Sequence, residues 1–320
     1  MFLFFIDLDE LLLALRQVAL AWVLAATAVK GVGILASILR WDQLVQGQGY
    51  RLPLGYLSGS FLVGRFFGMF LPSTLGLDGY RAYDMARQTK DTVSSVAVIV
   101  VEKITGFFTL SLLVLLTLPA GVRFLPAGAL AAVFVIFCVP VTVSFFLLLR
   151  PGLIERVMGK LLGVRFPGKA KLEGLLRRSL AAVTIYQDQR GVLLRAVLLG
   201  FVVHASTVLM YYCCALAVGI DADLADMLFV GPWIILATIG LPTIAGEGAR
   251  EFTAMGLLSR IGVGASAAWL VGHLGFWAAE FVPAVIGGII LAARPAQYRP
   301  QIQRSEAIMA KKGGATDIAP

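Results

Sequence analysis

The 320 residues are 59% hydrophobic and only 14% charged, with a formal net charge of +8. That balance excludes a soluble globular domain, and apolar runs of about 20 residues recur, each long enough to span a bilayer as a helix. The strand alternation of a membrane barrel is absent, so the chain reads as an all-α polytopic membrane protein.

Met1–Gln17 begins apolar, turns acidic at Asp7, Asp9 and Glu10, and reads as an interfacial lead-in without the basic n-region or cleavage site of a signal peptide. Val18–Leu39 is the first span, interrupted by Lys30 and closed by Arg40-Trp41, a basic and aromatic pair suited to the cytoplasmic interface. Leu54–Leu71 is apolar apart from Arg65 and runs into a break at Pro72–Gly79. Tyr80–Asp91 predicts a surface helix. Val93–Leu118 is a full span carrying Glu102-Lys103, and Leu125–Leu149 returns across the membrane.

Arg150–Arg195 holds ten Lys/Arg against three Asp/Glu. The positive-inside rule accounts for this charge without nucleic acid, and two basic amphipathic interfacial helices separated by Phe166-Pro167-Gly168 fit the pattern. Val192–Val218 spans next and leads to a loop with Asp221, Asp223 and Asp226. Met227–Leu241 meets a second break, Ala249–Arg260 is too short to span, and Ala265–Ala293 is the last span. The basic tail, 294–320, is expected to be cytoplasmic and disordered. Cys138, Cys213 and Cys214 fall in spans as buried thiols, and no metal-ligand spacing or cofactor motif occurs.

Two stretches share one plan. Phe61–Arg87 and Phe229–Met255 each place an apolar run before Leu-Pro (Leu71-Pro72, Leu241-Pro242), with a glycine four residues past the proline (Gly76, Gly246) and then charge. Proline breaks a helix and glycine permits the turn that follows. Two such interruptions in corresponding positions point to a transporter-type site; two ordinary loops are the plainer reading. With the basic loop and tail both cytoplasmic, Leu54–Asp91 and Met227–Arg260 become re-entrant hairpins entering from opposite faces. The expectation is about five full transmembrane helices plus two broken-helix hairpins in an inverted repeat. The membrane domain is 1–293, with repeat-like halves of about 18–149 and 192–293 joined by the basic segment 150–191. A plain span at Leu54–Leu77 is the alternative. The scheme leaves Met1 outside, so either Met1–Gln17 lies on the outer surface or a first helix precedes it.

The pieces Arg40-Trp41, Leu71-Pro72-Ser73, Leu75-Gly76-Leu77-Asp78-Gly79-Tyr80-Arg81, Glu102-Lys103, Gly246-Glu247-Gly248-Ala249-Arg250-Glu251 and Gly262-Val263 occur in this order. On them the chain resembles the transmembrane domain of lysylphosphatidylglycerol synthases and the related stand-alone, flippase-like membrane proteins, over roughly Leu11–Ala293. The resemblance implies movement of lipid headgroups between leaflets, with the charged breaks in the translocation region. It also implies one more helix at the start. The synthases' soluble aminoacyl-transferase domain has no counterpart here, and Leu77-Asp78 stands where the family pattern often has two glycines.

The candidate headgroup and translocation residues are Arg65, Asp78, Arg81, Glu102, Lys103, Glu247, Arg250 and Glu251. Ionisable groups inside a membrane are costly unless paired or wet. Arg65 reads either as a phosphate ligand, since guanidinium binds phosphate by paired hydrogen bonds, or as an arginine snorkelling or paired with Glu102. Arg81 and Arg250, each early in a helix, make a phosphodiester clamp. Asp78 and Glu247 read as helix N-caps. Adjacent Glu102 and Lys103 point about 100° apart and so have different partners, with Glu102 a structural ion pair or a proton-coupling group. Lys30 reads as neutralising a carboxylate. The breaks rest on Pro72, Gly76, Gly79, Pro242, Gly246 and Gly248. His273, Trp277 and Glu280 share one helix face, as a proton relay or a structural cluster.

Three functions compete: a lipid translocator for an anionic or modified phospholipid, glycolipid or polyprenyl-phosphate lipid; a membrane-embedded transferase; and a non-catalytic subunit of an envelope lipid or glycan pathway. With no soluble catalytic domain and no nucleotide-binding loop, an enzyme is not expected. The expected location is the cytoplasmic (inner) membrane. The expected partners are membrane lipids, and a lipid- or glycan-modifying enzyme docked on the basic loop 150–195.

Overall fold

The structure, a computed structural model, describes residues 8–71, 75–149, 183–241, 243–294 and 303–304. It is a helical bundle, with helices α1 (Leu8–Arg16), α2 (Leu20–Gly47), α3 (Leu54–Gly68), α4 (Leu75–Thr89), α5 (Thr92–Thr117), α6 (Ala127–Leu149), α7 (Arg190–Ala217), α8 (Leu224–Gly240), α9 (Ala249–Leu258), α10 (Ala265–Phe276) and α11 (Val282–Ala293). A π-helical turn, Trp277–Phe281, joins α10 to α11. Among the described residues, five helices are long and apolar enough to cross a membrane: α2, α5 with its 3₁₀ extension, α6, α7, and α10–α11 read as one. They are the five spans expected from the apolar runs. α6 shows where lipid lies, because Phe134, Val135, Ile136 and Val139 are all more than half exposed on a helix carrying no charge.

Between the long helices stand two pairs of short ones. α3 has 15 residues, about 22 Å of helix against a hydrocarbon core of about 30 Å. It packs on α4, as α8 packs on α9. The remaining contacts are reciprocal. α4 lies on α5 and α9 on α10, while α3 packs on α11 and α8 on α5. α2 and α7 run antiparallel along their whole length: Ala19 N donates to Ala217 O at one end (2.8 Å) and Gln189 Nε2 to Gly47 O at the other (2.9 Å).

Two apolar cores result. One is built on α7, α8, α9 and α10 around Met210, Met227, Phe229 and Leu258. The other is built on α2, α3, α4 and α5 around Trp41, Leu57, Phe61 and Met85. A small cluster of Leu110, Val208 and Ile235 bridges them.

Several expectations need correction. The first span does not close at Leu39: α2 continues to Gly47, and Arg40 and Trp41 are buried rather than interfacial. The helix expected from Tyr80 begins at Leu75 and is not a surface element, since Arg81, Asp84 and Met85 are buried. Gly79 therefore lies inside α4 and is no part of the break. Gln303–Arg304 pair antiparallel with Tyr50–Arg51. Tyr186, at the end of the basic segment, is buried and its hydroxyl donates to Leu44 O (2.5 Å). Pro72, Pro242 and residues 150–182, most of the 150–190 segment in which two amphipathic helices are expected, lie outside the described residues.

Gly76 lets the start of α4 lie close against the end of α3. A Cβ there would come within 2.5 Å of the Phe67 carbonyl oxygen and 2.6 Å of Gly68 N. Gly76→Val is expected to pry α4 from α3 and lower stability by about 1–3 kcal/mol, the usual range for overpacking. Thermal unfolding in detergent checks this, and an unchanged midpoint would refute it.

Candidate functional site

A cavity of about 200 Å³ opens where the two cores meet. Its walls come from α2, α3, α4, α5, α7, α8, the α8–α9 break, the start of α9 and the π turn. Six cationic side chains line it (Lys30, Arg40, Arg65, Arg81, Lys103, Arg250) against three carboxylates (Asp78, Glu102, Glu280). A buried charge is tolerable only when paired and hydrogen-bonded, so the partners decide what this cavity can do.

Glu102 is the hub of one side. Its Oε1 accepts from Arg40 Nη2 (3.0 Å) and its Oε2 from Arg81 Nη1 (2.8 Å). Arg81 also reaches Asp78 Oδ1 (2.6 Å), whose other oxygen pairs with Lys103 Nζ (2.6 Å). Thus Glu102 and Lys103 do have different partners, yet both belong to one network. The Arg81 guanidinium lies over the rings of Trp41 and Phe61, 5.2 and 5.1 Å from their centroids. Asp78 is not an N-cap: it sits inside the first turn of α4, and its carboxylate serves Arg81 and Lys103.

On the other side, Arg65 Nη1 donates to Glu280 Oε2 (2.8 Å) and to the Ala279 carbonyl (2.9 Å). Its carboxylate is thus Glu280 on the π turn, not Glu102. Arg250 is in the first turn of α9, as expected. Its Nε donates to Gly246 O (3.2 Å) and its Nη2 to Ala245 O, and the guanidinium lies 5.4 Å from the Phe276 ring centroid. Lys30 Nζ donates to Thr207 Oγ1 across the α2–α7 seam (2.9 Å).

The second break supplies the geometry around Arg250. Gly246 and Gly248 have φ of 73° and 83°, left-handed values that suit glycine. Gly248 is the N-cap of α9, and its N–H donates to Glu251 Oε2 (2.7 Å). Glu251 Oε2 thus caps α9, and Glu247 is exposed rather than capping.

Of the expected site residues, Arg65, Asp78, Arg81, Glu102, Lys103, Arg250, Gly246 and Glu280 line the cavity. Glu247, Glu251 and His273 are not among its lining residues. His273 stacks on Trp269 (4.6 Å between centroids) and accepts from Trp277 Nε1 (3.1 Å), while Glu280 is turned toward Arg65. Arg40 and Thr207 enter the site unforeseen. The only hint of Arg40 was its place at the end of an apolar run, and nothing marked Thr207. Beyond the cavity, Arg294 ties the end of α11 to Asp84 (3.1 Å) and Tyr80 (3.2 Å) on α4.

The described residues contain no group of three or more His, Cys, Asp or Glu placed to hold a metal ion. In a comparison with protein families, a family model described as the lysylphosphatidylglycerol synthase TM region matches residues 1–288. No match was found among curated proteins.

Proposed function

The chain belongs to the lysylphosphatidylglycerol synthase transmembrane-region family, and from that premise we propose that it moves anionic or modified lipid headgroups between leaflets. It is a multi-pass membrane protein of a lipid-related family, with five helices of spanning length. The observation that carries the finer reading is the cation-rich cavity between the two short helix pairs. A headgroup crossing bare hydrocarbon loses its hydration, and a cavity of this kind gives it charged partners on the way.

Broken helices at membrane depth persist where they are buried in protein or line a wet cavity. The reciprocal packing of α3–α4 and α8–α9 supports reading them as re-entrant hairpins of an inverted repeat, with the cavity at the interface of the repeats. The antiparallel α2–α7 seam agrees with such a repeat, because its members would be related by an in-plane axis. In this proposal the cytoplasmic membrane is the site of action and the protein itself makes no covalent change. The basic segment after α6 is the docking place for a lipid-modifying partner.

The test is lipid movement in liposomes holding the purified protein, with fluorescent lipids of anionic, zwitterionic and uncharged headgroup. Anionic lipids are expected to move fastest, with or without a proton gradient. No movement of any lipid under either condition would sink the proposal.

A further inference from the structure

Four of the six cations in the cavity have a carboxylate: Arg40 and Arg81 share Glu102, Asp78 holds Arg81 and Lys103, and Glu280 holds Arg65. Two do not. Among the described residues Lys30 bonds only the Thr207 hydroxyl, and Arg250 bonds only backbone carbonyls of its own break. Both are buried, at 7% and 1% exposure. Lys30 is the eleventh residue of α2, about 15 Å from its start at 1.5 Å per residue, and so near the middle of the hydrocarbon.

Two buried cations outside any direct ion pair are costly in such a place. Here both face one cavity, and Arg65, Arg250 and Glu280 lie within electrostatic reach of Lys30. The ammonium has three donors and spends one on Thr207. The guanidinium is held in place by the Ala245 and Gly246 carbonyls and steadied by Phe276. The seat is thus built, positive and fixed from both halves of the chain.

We propose that Lys30, Thr207 and Arg250 form an anion seat at mid-membrane depth that takes a terminal phosphomonoester headgroup in preference to a phosphodiester. The proposal rests on the translocator reading. The preference follows from charge matching: a phosphomonoester carries about −1.5 to −2 at neutral pH, against −1 for a diester, and two cations await it. Arg81, the expected clamp partner of Arg250, is excluded because two carboxylates already occupy it.

Native mass spectrometry of the detergent-purified full chain tests this, with phosphatidic acid, phosphatidylglycerol, diacylglycerol and inorganic phosphate as probes. Phosphatidic acid is expected to bind most tightly, and Lys30→Met to weaken it by about tenfold, the scale of one charged hydrogen bond. Lys30→Arg should retain binding, and so should Arg195→Met, which removes an exposed cation of α7. Competition by millimolar inorganic phosphate would assign the seat to phosphate in general. Its absence would assign the seat to the lipid-borne group.

Unchanged binding in a folded Lys30→Met protein would overturn the seat, as would equal losses in Lys30→Met and Arg195→Met. Phosphatidylglycerol binding as tightly as phosphatidic acid would overturn the monoester preference. Binding lost in Lys30→Met with liposome transport intact would sink the translocator reading at this cavity and leave the seat standing. Transport lost with binding intact would do the reverse.

Discussion

Glu102→Gln is expected to be the most damaging single substitution for stability, lowering it by about 3–5 kcal/mol, the scale for removing one partner of a buried ion pair. Each oxygen of Glu102 serves a different guanidinium, Arg40 at 3.0 Å and Arg81 at 2.8 Å, and these arginines are 8% and 2% exposed. Glutamine keeps the shape but turns an amide N–H₂ toward one of two cations. Among the described residues Arg40 has no other carboxylate partner, whereas Arg81 retains Asp78. The loosening should therefore begin at α2. Thermal unfolding in detergent measures it, and a loss below about 1 kcal/mol, the scale of an exposed pair, would refute the hub.

Arg250→Met is expected to cut the movement of anionic lipid in liposomes by about 10- to 100-fold, since a hydrogen bond to a charged group contributes about 1.5–3 kcal/mol. Methionine matches the apolar stem of arginine and leaves Phe276 covered. The side chain also supports its own loop, where Ala245 and Gly246 hold positive φ of 51° and 73°. A modest drop in unfolding midpoint is therefore part of the expectation. Arg250→Lys separates the two roles: it keeps the charge and loses the fork, so it should move lipid at an intermediate rate. Transport within twofold of the native rate in a folded Arg250→Met protein would show that the cavity's charge is not on the route.

The long spans were legible because twenty apolar residues have few other uses, and both breaks were legible because proline and glycine act locally. What escaped depends on partners far away in the chain. Tyr80–Asp91 looked like a surface helix because it is charged, yet Arg81 and Asp84 are buried against Glu102 and Arg294, 21 and 210 residues distant. Arg40 looked interfacial because a basic-aromatic pair commonly ends a span, and its carboxylate lies 62 residues on. The charge of Lys30 alone suggests a carboxylate partner, and its partner is the Thr207 hydroxyl instead. The His273–Glu280 spacing was correct for a regular helix. The π turn at Trp277–Phe281 adds to the winding, and Glu280 meets Arg65 instead.

The α2–α7 seam also sets a timetable. Lys30 and Thr207 are 177 residues apart, an interval of about 9–35 s at ordinary rates of synthesis of 5–20 residues per second. α2 thus leaves the ribosome and waits, its ammonium unanswered, while α3 to α6 are made. The nascent chain must shelter that charge in water, at a lipid surface or against the insertion machinery until α7 arrives. The seam closes only once α7 is made, although its first half was among the earliest segments to leave the ribosome.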